Sequence, residues 1–256
     1  MIDNNKYNLL TQIVLIAFLG IILGYILSIS FNKKKYKGTI CLVIDDFGFS
    51  QSDIIKDFFH LNNNITVAII PGTPYANILS KYADSLGIET IIHMPMESYE
   101  QDETKYPISL NEKLNSVIVQ KRIESAFNEI PNALGMNNHQ GSKATANLQL
   151  MKNVARSLKN LDKFFLDSFT NPESRGFITM RRYGVPTQLR QVFIDHKENE
   201  DHIKYQLDSL KQLSHTMNIA IGIGHAKPIT LEILKKEIPR LESEGYKFIS
   251  LSEAVH

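Results

Sequence analysis

The chain has 256 residues, is 43% hydrophobic and carries a formal net charge of +1. That length and apolar content suffice for one sizeable core, and near-neutrality excludes both the basic field of a nucleic-acid binder and the acidic excess of a disordered chain. The single cysteine, Cys41, rules out an internal disulfide, and its place in an apolar run predicts a packed thiol.

A short tail over residues 1–8 precedes a stretch from Leu9 to Phe31 that has no charged residue and is rich in Leu, Ile, Val, Phe and Gly. At ~1.5 Å rise per residue it spans roughly 34 Å, enough to cross a ~30 Å hydrocarbon core. It exceeds the usual ~7–15 residue apolar region of a signal peptide, so it predicts a retained single-pass transmembrane helix over 9–31. A basic linker over 32–37 follows, with Lys33, Lys34, Lys35 and Lys37. Taken alone, the positive-inside rule would put the rest of the chain in the cytoplasm.

From residue 38 to 256 short apolar runs alternate with amphipathic segments and no Pro/Ser-rich linker intervenes, which predicts one domain. Strands are expected over Thr39–Ile44, Ile65–Ile70, Ile88–His93, Phe164–Asp167, Gln191–Asp195, Ile219–Gly224 and Lys247–Leu251, with a weaker one near Ala133–Asn137. Helices are expected after Ser50 or Ser52, after Thr73-Pro74 and after Thr145, along the stripe Ile203, Leu207, Leu210 and Met217, and after Thr230. The acidic, polar stretch from Tyr99 to Pro107 reads as a loop. Alternation of this kind is the signature of parallel βαβ units, and seven or eight strands predict an α/β fold, an irregular (β/α)7-8 barrel.

The chemically capable residues recur at the ends of these strands. The first ends at Asp45-Asp46, the third at His93 and the weak fourth at Asn137-Asn138-His139; the later ones end at Asp167-Ser168, Asp195-His196 and Gly224-His225. Such barrels build their active sites on that rim, from several strands at once. One carboxylate with two imidazoles is a catalytic zinc set with a position left open. A second carboxylate can take a proton from water, and a histidine opposite can protonate a leaving group.

Six segments occur in an order that resembles the divergent polysaccharide deacetylase family, distant relatives of chitin, peptidoglycan and nodulation-factor deacetylases. They are Val43-Ile44-Asp45-Asp46-Phe47-Gly48, Ile92-His93-Met94-Pro95-Met96-Glu97, Asn137-Asn138-His139-Gln140-Gly141-Ser142, Phe165-Leu166-Asp167-Ser168, Val192-Phe193-Ile194-Asp195-His196 and Ile221-Gly222-Ile223-Gly224-His225. The resemblance implies a metal-dependent hydrolase, with a divalent ion such as zinc, that removes acetyl groups from an acetylated glycan. It implies Asp45 as base, Asp46, His93 and His139 as metal ligands, and His225 as general acid. The relatives' His-x3-His pair reads His93-x3-Glu97 here, which makes Glu97 a further candidate ligand or a partner of one. Asn138, Asp167, Ser168, Asp195 and His196 are implied to orient His225 or to bind sugar hydroxyls. A glycan substrate implies a domain outside the cytoplasmic membrane, in the periplasm, against the charge rule. The Arg-x-Pro-Tyr motif of the relatives has no counterpart, so the alternative is a catalytically inactive, membrane-anchored glycan- or partner-binding protein.

Overall fold

The structure, a computed structural model, describes residues 14–22, 36–100 and 106–255. It divides into two compact units, Met1–Tyr36 and Lys37–His256. In the first, residues 14–22 are helical, with exposed apolar side chains such as Ile16, Phe18 and Ile21. Among the described residues no helix is long and apolar enough to cross a membrane. The remainder of the predicted 9–31 span, the tail over 1–8 and most of the basic linker lie outside the described residues.

In the second unit nine strands form one sheet: β1 (Gly38–Phe47), β2 (Thr66–Ile69), β3 (Glu89–Met96), β4 (Gly135–Gln140), β5 (Phe164–Asp167), β6 (Thr187–Leu189), β7 (Val192–Phe193), β8 (Ala220–His225) and β9 (Tyr246–Ile249). Their order is β6-β5-β4-β3-β2-β1-β8-β7, with β9 added to β1. β9 pairs with Gly38 to Cys41 and β2 with Val43 to Phe47, so the two share one edge of β1 while β8 takes the other. Every pairing among the described residues is parallel.

The predicted barrel is thereby corrected to a curled, incompletely bonded sheet. β6 pairs with β5, and β7 pairs with β8. Only Arg190 and Gln191 separate β6 from β7, whereas side-by-side parallel strands need a crossover of about a dozen residues. The chain therefore runs on in one direction and changes partner, leaving no ladder between the two.

Side chains of the sheet sort by the two-residue period of a strand. Cys41, Val43, Ala68, Ile91, Leu166, Ile221 and Ile223 form one cluster, joined at its base by Leu251, Ala254 and Val255. Ile40, Leu42, Ile44, Val67, Ile69, Ile92 and Met94 form the other, with the helices. The first set fills the inside of the curl and the second packs the outer layer. Cys41 is the packed thiol expected of it, its pKa pushed up by burial.

The outer layer comprises α1 (Asp53–Asp57), α2 (Ala76–Ser85), α3 (Ser116–Glu129), α4 (Leu148–Asn160), α5 (Gly176–Tyr183), α6 (Glu200–Thr216) and α7 (Pro228–Ser243), and α8 (Leu251–Ala254) follows β9. α3, α5 and β6 lie where the sequence assigned no element. α3 opens on Val117-Ile118-Val119, a β-branched run that does not distinguish helix from strand. Two expected caps are also corrected. The Thr73 hydroxyl donates to the Ile70 carbonyl and Thr145 to that of Gly141, closing turns, while α2 starts after Tyr75 and α4 is capped by Asn147.

Candidate active site

Followed toward the strands' C-terminal ends, the inward-facing positions change from apolar to polar. After Cys41 and Val43 comes Asp45, after Ile91 comes His93, and after Ile221 and Ile223 comes His225. Register then sets the neighbours: Asp45 lies opposite His225, His93 opposite Asn137, and Pro95 opposite His139. Asp45, His93 and Asn137 are buried; Asp45 and His93 border an open cavity of about 200 Å³ together with Asp46, Asn138, His139, Phe193 and His225.

Simple alternation would send Asp46 to the outer layer, away from Asp45. Instead the β1–β2 register shifts between Ile44 and Phe47, and Asp46 adopts φ 70°. Aspartate is one of the few non-glycine residues that tolerate this left-handed region, at a cost of order 1–3 kcal/mol held by the surrounding structure. The bulge brings both carboxylates to the same mouth.

There Asp46 Oδ1 lies 3.3 Å from His93 Nε2 and 3.1 Å from His139 Nδ1, and the two ring nitrogens are 3.0 Å apart. Despite these distances Asp46 Oδ1 is buried without a well-directed hydrogen bond among the described residues. Tautomers explain the arrangement. Asn137 must turn its Nδ2 to the acceptor-only carboxylate of Asp45, at 2.9 and 3.2 Å, and this leaves its Oδ1 2.7 Å from His93 Nδ1. His93 Nδ1 then carries the proton, and its Nε2 lone pair faces the cluster, as in metal-ligating histidines fixed by a partner on the other nitrogen. His139 turns Nε2 to the Tyr106 hydroxyl, 3.3 Å away, and Nδ1 inward. Donors at ~2.0–2.2 Å around a tetrahedral ion would be roughly 3.3 Å apart, so Asp46, His93 and His139 fit a divalent ion.

The electrostatics agree with a negative pocket that takes a cation or a proton. Burial raises the Asp45 pKa, assisted by Asp46 and only partly offset by His93, His225 and Asn137. Burial also acts to raise that of Asp46, but His139 and His93 overcome it and hold the carboxyl well below its usual range. For His93 burial acts against the imidazolium, yet Asp45 and Asp46 outweigh it and the pKa rises. For His139 burial prevails and the pKa falls.

Across the cavity His225 is oriented by Asp195, whose Oδ1 accepts from Nδ1 at 2.7 Å and whose Oδ2 accepts from the His225 backbone N–H and the Thr230 hydroxyl, each at 2.7 Å. Burial works against the charged ring, but the hydrogen bond and charge of Asp195 together with the charges of Asp45 and Asp46 outweigh it and raise the His225 pKa. Phe193 stacks on His225 at 5.9 Å, and the Arg190 guanidinium lies 3.5 Å over its ring. Arg190 donates to the Ser168 and Phe169 carbonyls, and burial pulls its pKa to about 10.

The other rim residues divide: Asn138 and Ser168 border the cavity, whereas Glu97, Asp167 and His196 do not line it. Glu97 ion-pairs with Lys143 and accepts the Glu112 N–H at 3.1 Å. Four residues of extended chain separate it from His93 by ~13 Å, and among the described residues the metal-type cluster comprises Asp46, His93 and His139. Asp167 has outward parity and accepts from Ser174, Phe169 and Phe177, anchoring the entry to α5. Asn138 ties β4 to β5 by accepting the Ser168 N–H at 2.9 Å and donating to the Gln140 carbonyl. Ser168 borders the cavity, its hydroxyl buried without a partner among the described residues. His196 has outward parity and meets His202 instead. The residue overlooked in sequence is Asn137, which the two-residue period places on the same face as His139. Tyr106, Arg190 and Thr230 lie off the strand ends and carry no such signal.

The parallel α/β sheet, curled around a mouth of two aspartates and three histidines, is a deacetylase-like fold. The model of the divergent polysaccharide deacetylase family matches residues 42–255, and the chain belongs to that family. The uncharacterized protein YibQ of Escherichia coli is 30% identical over 223 residues, which is 86% of this chain and 68% of that protein. An uncharacterized protein of Agrobacterium tumefaciens has a crystal structure that superposes with a TM-score of 0.81 at 18% identity, covering 86% of this chain and 90% of that one. The catalytic domain of a peptidoglycan N-acetylglucosamine deacetylase from Eubacterium rectale shares the fold with a TM-score of 0.54 at 13% identity, over 83% of this chain and 88% of that one.

Proposed function

We propose that the chain is a metal-dependent hydrolase that removes acetyl groups from a polysaccharide or cell-wall glycan. The observation that carries this reading is the triangle of Asp46 Oδ1, His93 Nε2 and His139 Nδ1, 3.0 to 3.3 Å on a side, beside the separately held carboxylate of Asp45. Asp46, His93 and His139 hold the ion, and the carboxylate-plus-two-imidazole set favours zinc. When bound, it supplies Lewis-acid polarisation of an acyl carbonyl and makes a water more acidic.

The chain's own groups do the rest. Asp45, a buried carboxyl with a raised pKa, accepts a proton from the attacking water. His225, protonated and aimed by Asp195, donates a proton to the departing sugar nitrogen or oxygen. The C–N or C–O bond of the acyl group breaks, leaving acetate and a free amine or hydroxyl. The cavity, about 200 Å³ and open to solvent, has room for an acetyl group beside Asp45, Asp46, His93 and His139. Acetate release from chitooligosaccharides or peptidoglycan fragments tests the reading, and no release from metal-loaded protein would contradict it.

The pH profile follows from the pair across the cavity. A histidine acid works while protonated, so the rate falls as pH rises through its pKa, which Asp195 holds above the ordinary 6.5. Asp195→Asn removes that support and moves the alkaline limb of kcat/KM to lower pH. An unmoved limb would take the acid's role away from His225.

A glycan substrate further places the domain outside the cytoplasmic membrane, anchored by the apolar stretch at 9–31. Protease added to spheroplasts should then digest the domain; full protection would overturn this placement.

A further inference from the structure

His196 and His202 form a second histidine pair, separate from the cavity. His196 follows Asp195 in the loop after β7, and His202 lies in the first turn of α6, whose N-cap Asn199 accepts the His202 N–H at 2.8 Å. The rings stand at 86° with centroids 4.1 Å apart, and His196 Nδ1 is 3.1 Å from His202 Nε2. Gln206, one helical turn on, places its side-chain amide 3.4 Å from the same His202 nitrogen, and the Phe193 carbonyl is 3.4 Å from His196 Nδ1.

A 3.1 Å separation of His196 Nδ1 and His202 Nε2 is also the spacing of two nitrogens held by one ion, and turning the Gln206 amide places an oxygen beside them.

We propose that His196, His202 and the Gln206 amide oxygen form a second metal site for a divalent transition ion of the imidazole-preferring class, Zn²⁺, Cu²⁺ or Ni²⁺. Bound there, the ion ties the loop that carries Phe193 and Asp195 to the start of α6. The site is independent of the cluster at Asp46, His93 and His139.

The test is equilibrium dialysis of the tag-free full chain against buffered Zn²⁺, with bound metal counted in the wild type, His202→Ala, His196→Ala and His60→Ala. The expected result is two equivalents in the wild type and in His60→Ala, whose ring contacts Tyr82 rather than another histidine, and one in each of the other two variants. One equivalent in the wild type and none in His202→Ala would support this site while removing the cluster proposed for catalysis. Equal counts in the wild type and His202→Ala, or a loss in His60→Ala as large as in His202→Ala, would overturn it. Cu²⁺ paramagnetic resonance gives a second readout: nitrogen couplings assigned to this site should disappear in His196→Ala, and their persistence would equally overturn it.

Discussion

Asp45→Asn is expected to slow acetate release by roughly 10²–10⁴-fold, the range of a lost general base, while bound metal stays at the wild-type level. The substitution is close to isosteric, and the new side-chain oxygen can still accept from Asn137 Nδ2, now 2.9 Å from Asp45 Oδ1. His93 therefore keeps its tautomer and its Nε2 lone pair. What disappears is the proton acceptor, a buried carboxyl whose environment raises its pKa. Measuring metal and acetate on the same preparation separates the two roles. Activity near the wild-type level would remove Asp45 as the base, and loss of metal would make it a ligand.

The second large effect is at His139. His139→Ala should lose more metal affinity than the ~10–100-fold typical of removing a ligand's supporting partner, and acetate release should be lost with it. His139 suits this experiment better than His93. It is partly exposed, and its neighbours are the Tyr106 hydroxyl and the other two members of the cluster, Asp46 and His93. Removing His93 would strip a buried hydrogen bond from Asn137 and confound folding with ligation. Full metal occupancy in a folded His139→Ala protein would contradict the ligand set.

Much of this was legible in the sequence because strand periodicity carries both the fold and the site. The apolar runs marked the central strands, and the polar residues that end them marked the mouth. Counting by twos from the buried positions also separates residues that sequence proximity confuses. Asp195 faces inward and His196 outward; Asn137 and His139 share a face while Asn138 does not; Asp167, though at a strand end, turns to the helix layer. Asp46 escapes this count, because only the backbone bulge with positive φ returns it to the mouth. Glu97 is a candidate only through the relatives' His-x3-His spacing, and in the structure its carboxylate pairs with Lys143. Tyr106 and Arg190 reach the site from segments whose own pattern gives no direction, and the two-residue link between β6 and β7 hid the break in the barrel.

Comparing the full chain stripped by chelator with the same protein reloaded with Zn²⁺, on N-acetylated chitooligosaccharides or peptidoglycan fragments, tests the central claim most directly. The account predicts no acetate from the stripped protein and recovery on reloading, with reloaded Asp45→Asn still roughly 10²–10⁴-fold slower than the reloaded wild type. Undiminished release after complete stripping, or none from the reloaded protein, would contradict it.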